Sequence, residues 1–71
     1  MKRFGEKLRT LRQRQGLTLR QLASILGMGA HSHLANLEMG KNMPTAELVV
    51  KIANYFEVSL DQLMRDEIEL D

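Results

Sequence analysis

The chain contains no cysteine, which removes disulfide scaffolds, zinc ribbons and thiol catalysis together and leaves its redox compartment open. No stretch approaches the roughly 20 apolar residues that a membrane span requires. The N-terminal MKRFGEKLRT also lacks an apolar signal segment. The expectation is a soluble, cytoplasmic protein with no membrane partner. Alternation of apolar and polar residues, the mark of a half-buried strand, is missing as well, and so are low-complexity tracts, linkers and internal repeats. At 71 residues the chain is one domain, because neither half alone would bury enough apolar surface. Enzymes of this size are rare, so no catalysis is expected.

Acidic residues are scarce in the first part of the chain. Residues 1–42 hold eight Lys and Arg against Glu6 and Glu38, whereas residues 43–71 hold Lys51 and Arg65 against seven Asp and Glu. Two readings stand: a polyanionic partner for the first part, or a solvated surface that segregates its charges. The composition is 44% hydrophobic and 27% charged, which suits a folded domain and not a disordered one.

What is present is helical periodicity with clear punctuation. Phe4, Leu8 and Leu11 recur at i, i+4, i+7, and Gly16 is placed to end their helix, giving a first element over 2–15. Thr18 with Gln21 forms a capping box, with Leu17 and Leu22 as its hydrophobic staple. That second helix runs through Leu22, Ala23, Ile25 and Leu26 to Gly27. Leu34 and Leu37, with Gly40 beyond, suggest a third helix over 30–39, although Gly29 and Ala30 are weak caps. Thr45 caps a fourth helix whose buried face is Leu48, Val49, Ile52, Ala53 and Phe56. Ser59 and Gln62 repeat the capping box, with Val58 and Leu63 as staple, before a fifth helix over 60–66. The fold class is therefore all-α, with residues 1–66 as the domain and 67–71 as an acidic tail. A glycine between two tightly linked helices suggests a helix-turn-helix, although a plain helical hairpin looks similar in sequence.

The segment GMGAHSHLANLEMGK, residues 27–41, concentrates both histidines and a serine. Positions i and i+2 of a helix point about 200° apart, so His31 and His33 cannot close on one metal ion. With no cysteine and no third histidine, neither a metal nor any other cofactor is expected. Ser32 lacks a base oriented by a third group, which argues against a nucleophile. Met28, Met39 and Met43 flank the third helix and are read as core filling. Arg9, Arg12 and Arg14 cannot share one helix face, so some of them only keep the surface soluble.

The run GLTLRQLASILG, followed by LANLEMGKNMPTAELVVKIANYFEVSLDQL, resembles the helix-turn-helix domains of the Cro and phage-repressor (XRE-like) family over about residues 4–65. The matching positions are Gly16, Leu17, Thr18, Leu22, Ala23, Leu26, Gly27, Leu34, Leu37, Glu38, Gly40, Lys41, Pro44, Val58, Ser59, Leu60, Asp61 and Leu63. The resemblance implies a five-helix, lambda-repressor-like domain whose third helix enters the DNA major groove. His31, Ser32, Ala35 and Asn36 would face bases, and Thr18, Arg20, His33, Lys41 and Asn42 would face phosphates. A second reading has His33, next to Leu34, packing against the second helix and satisfying its nitrogens locally. Arg12 and Glu38 would form the family's structural pair.

The chain departs from the family pattern in three ways. Leu19 stands where a glutamine usually touches phosphate, the turn before Leu34 is one residue longer, and no Arg or Lys precedes Lys41 on the third helix. The implied function is a sequence-specific double-stranded DNA-binding regulator in a bacterial or phage setting, associated with the nucleoid. It would repress as a homodimer on a pseudo-palindromic operator, with Leu60, Met64, Ile68 and Leu70 as the dimer surface. The alternative is an antitoxin-like module that holds a protein partner and binds DNA weakly or not at all.

Overall fold

Phe4, Leu8 and Leu11 line one side of α1 (Phe4–Arg14) and all three are buried, as their spacing requires. The computed structural model describes residues 1–71, which form five α-helices and no strand. α2 (Leu19–Ile25) opens on the expected capping box: the Thr18 hydroxyl accepts from the Gln21 N–H at 3.0 Å, and the Gln21 side chain accepts from the Thr18 N–H at 2.8 Å. Gly16 and Gly27 adopt φ of 66° and 73°, the left-handed conformation that glycine takes without steric cost. α3 (His31–Glu38) follows Ala30, which supplies no capping side chain.

α4 (Ala46–Phe56) begins at the Thr45 cap and α5 (Leu60–Met64) at the Ser59–Gln62 capping box. α3 packs on α1 and α2, while α5 packs on α1 and α4. Each helix sends an aliphatic side chain to the centre, namely Leu8, Leu22, Leu34 with Leu37, Ile52 and Leu63, each at most 1% exposed. Full burial of each contributes roughly 1.5–3 kcal/mol before the ordering cost.

Three close contacts were not legible in the sequence. Gly5 lies against the end of α3, where an added Cβ would stand 2.5 Å from the carbonyl oxygens of Leu37 and Glu38. Lys7 is 1% exposed, and its ammonium donates to the carbonyls of Gln62, Arg65 and Ile68 at 2.6, 2.8 and 2.6 Å. The Asp66 carboxylate accepts from the N–H groups of Lys2 and Arg3, both at 2.9 Å, and so caps α1 from the other end of the chain.

These contacts correct several expectations. α5 stops at Met64, short of residue 66, because Arg65 turns extended and Lys7 gathers the carbonyls that follow. Leu70, expected on the dimer surface, is 7% exposed and belongs to the core, so it offers no apolar surface to a partner. Met39 and Met43 are 60% and 69% exposed, not core filling. Met39 follows the buried Leu37 by two positions, about 200° round the helix, and therefore points outward.

Candidate nucleic-acid interface

Leu34 and Leu37 anchor α3 at 0% and 1% exposure, which turns the opposite side of the helix outward. Ser32, Ala35, Asn36 and Met39 lie on that side at i, i+3, i+4 and i+7. His31, Ser32 and His33 are exposed, whereas Ala35 and Asn36 are half-buried at its base. Eight residues at a rise of about 1.5 Å give a rod roughly 12 Å long, comparable to the width of a B-DNA major groove.

α3 carries one carboxylate, and its charge is engaged. Arg12 donates through Nε and Nη2 to the two oxygens of Glu38 at 2.7 and 3.0 Å, and through Nη1 to the Leu17 carbonyl at 2.9 Å. The hydrogen bond to Glu38 raises the Arg12 pKa above its ordinary value, against a smaller opposing effect of burial. The pair is mostly shielded from solvent, so its chief effect is to set α1 against α3.

The sequence-predicted phosphate residues fall into separate places. Arg20 and His31 share a groove of about 320 Å³ with Ala23, Ser24, Met28 and Gly29. The longer turn noted in the sequence, through Gly29, forms one wall of it. His33 instead lines a groove of about 250 Å³ toward α4, where Thr45, Glu47 and Lys51 stand opposite. It borders the end of α2 at Leu26, Gly27 and Met28 but is exposed, so it is not buried against the second helix. Thr18 is exposed at the start of α2, its oxygen already used as the cap. Lys41 and Asn42 are exposed in the loop after α3, and the Lys41 N–H donates to the Asn36 carbonyl at 2.9 Å, tying that loop to the helix.

The lopsided charge is partly settled inside the molecule. Arg3 bonds Glu69 and Glu6 at 2.8 and 3.0 Å, Lys7 is enclosed, and Arg12 is paired. Lys2, Arg9, Arg14, Arg20 and Lys41 remain exposed without an ion-pair partner; Lys2 and Arg14 lie toward the acidic C-terminal segment, and the other three stand apart from it. Those three lie around α3 or its flanking grooves. No three His, Asp or Glu side chains gather as a metal-ligand set, and no helix is long and apolar enough to cross a membrane.

Comparison with known proteins agrees with this architecture. A family described as helix-turn-helix matches residues 8–63. The cryptic phage CTXphi transcriptional repressor RstR of Vibrio cholerae is 33% identical over 63 residues, covering 89% of this chain and 56% of that protein. The transcriptional repressor RghR of Bacillus subtilis is 35% identical over 65 residues, covering 90% of this chain and 47% of its own length. The chain thus spans about half the length of these curated relatives. The N-terminal DNA binding domain of SinR from Bacillus subtilis shares the fold, with a TM-score of 0.83 at 24% identity, over 97% of this chain and all of that one. The buried pair Leu34 and Leu37, the bonded Arg12 and Glu38, and the match over residues 8–63 place the chain in the Cro and phage-repressor (XRE-like) helix-turn-helix family.

Proposed function

We propose that the protein is a sequence-specific transcriptional regulator that binds double-stranded DNA with α3 in the major groove and acts by repression. The carrying observation is the outward side of α3. It presents His31, Ser32 and Asn36 with the Ala35 methyl, while the only carboxylate on the helix is held by Arg12. Asn36 suits the bidentate contact with adenine, His31 and Ser32 supply short donors and acceptors, and Ala35 suits a thymine methyl. Arg20, Lys41 and Asn42 flanking this side, with Thr18 at the start of α2 and His33 toward α4, are assigned to phosphates, contacts that supply affinity and not choice.

A homodimer is part of the reading. The molecule measures 30 Å in its longest direction, too short to occupy two half-sites about 34 Å apart. Leu60 and Met64, four residues apart on α5, are both exposed, and half-buried Ile68 lies beyond them. They form the proposed contact between copies, without the buried Leu70. The cell compartment that holds DNA, the nucleoid of a bacterial or phage-infected cell, follows from the same reading.

Selection of duplexes from a random library, followed by band-shift titration across salt, tests the proposal. The expected result is an enriched two-fold sequence whose log affinity falls linearly with log salt. A protein that enriches no duplex and copurifies with a second protein would instead be the antitoxin-like module. Exposed Met39 and Met43 beside α3 are the feature that such a partner would cover.

A further inference from the structure

A third groove lies between α1, α2 and α3, about 190 Å³ in volume and lined by Arg9, Arg12, Leu19, Ala35, Glu38 and Met39. Its charges are unequal in availability. Glu38 and Arg12 neutralise each other through two hydrogen bonds, and Arg12 is held further by the Leu17 carbonyl. Arg9 is exposed and has no ion-pair partner, so the groove presents one usable cation. Its remaining surface is apolar: half-buried Leu19 and Ala35, and Met39, which stays 60% exposed.

One cation beside apolar walls suits a polymer that alternates an anion with a carbon-rich ring. We propose that this groove seats a stretch of DNA sugar–phosphate backbone, with Arg9 holding a phosphate and Leu19 and Met39 packing on the adjoining deoxyribose. The groove is continuous with the reading side of α3, because Ala35 belongs to both. The strand whose bases α3 reads therefore passes over it. Leu19 has no donor to offer a phosphate; Arg9 supplies that charge from α1 instead. This inference rests on the DNA-binding reading and adds a contact from α1 that the sequence had left among the solubilising arginines.

The test compares the wild-type chain, Arg9→Gln and Arg14→Gln on a selected duplex and on an unrelated one. Arg14 is exposed on the same helix outside the groove. Arg9→Gln is expected to weaken both duplexes alike and to make the slope of log affinity against log salt shallower by about 0.9. That change shrinks the wild-type advantage about three- to fourfold between roughly 50 and 200 mM salt. Arg14→Gln is expected to leave the slope unchanged, and Met39→Glu to weaken binding where Met39→Leu does not. Replacing single phosphates by uncharged methylphosphonates should reveal one position that matters to the wild type and not to Arg9→Gln. Equal slope changes for the two arginine variants, or none for Arg9→Gln, would overturn the proposal while DNA binding stands. A wild-type protein that binds no duplex would overturn both.

Discussion

Asn36 and Lys41 occupy different chemical environments, and their substitutions should separate accordingly. Asn36 stands on the outward side of α3, so Asn36→Ala is expected to lose about 1–3 kcal/mol of preference at one base pair and little on unrelated DNA. Lys41 lies in the exposed loop beyond, so Lys41→Ala should weaken all duplexes alike and flatten the salt slope. Band shifts on matched and mismatched duplexes distinguish the two patterns. Gly5 is a structural counterpart. Its substitution by alanine adds only one methyl, which ordinarily favours a helix, yet here that methyl meets two carbonyl oxygens of α3. Gly5→Ala should therefore destabilise the fold by about 1–3 kcal/mol in denaturant titration, by forcing α1 away from α3. The outward placement of Ser32 and Asn36 could be read from the positions of Leu34 and Leu37, whereas His31, three residues before Leu34, could not, and its exposure is a finding of the structure. The exposure of Met39 could have been read from the same periodicity, but methionine was assigned by composition to the core. Lys7 gave no local signal, because its carbonyl partners come from residues 62–68.

Helix starts and ends were legible where the signal is local: caps begin α2, α4 and α5, and the left-handed Gly16, Gly27 and Gly40 close α1, α2 and α3. Thr18, Thr45 and Ser59 each cap where the sequence places them, because an N-cap is a local bond between side chain and backbone three residues on. Ser59→Ala removes the acceptor for the Gln62 N–H and should cost about 1 kcal/mol, seen as a lowered Tm with the rest of the fold intact. The starts of α1 and α3 were weakly marked for different reasons. α1 borrows its cap from Asp66, while α3 follows Ala30 with no side-chain cap at all. The ends of α4 and α5 carried no such glycine. α4 ends with Glu57 in the left-handed region at φ 56°, without the glycine that would announce it, and α5 ends where Lys7 binds its last carbonyls.

The acidic tail and α1 act together across the whole molecule. Asp66 is held below its ordinary pKa first by the Arg3 N–H and then by the Lys2 N–H. Glu69 is held low by the Arg3 guanidinium. A carboxylate whose folded pKa lies below its unfolded value contributes stability that is complete above the unfolded value and lost as pH falls through the folded one. Acidification below about pH 4 should therefore weaken the bonds of Asp66 to the Lys2 and Arg3 N–H groups and of Glu69 to Arg3, while buried Leu70 and the Lys7 contact to the Ile68 carbonyl still hold the segment in place. Lowered protection of the Lys2 and Arg3 amides, taken relative to intrinsic exchange at each pH, while the centre of the fold keeps its protection, is the expected readout. Protection at those two amides that stays constant on acidification would remove the latch from this description.

Periodicity, caps and glycine breaks determined by themselves that this chain makes five helices, that Leu34 and Leu37 point inward, and that the polar side of α3 is outward. Those features are set by bonds and contacts within a few residues. Only the tertiary structure decided which charges are spent internally and which remain for a partner. Arg3, Lys7 and Arg12 are counted equally with Arg9, Arg20 and Lys41 in the sequence, but the first three face carbonyls or carboxylates from distant segments. Electrostatic availability depends on neighbours in space, which local sequence does not encode.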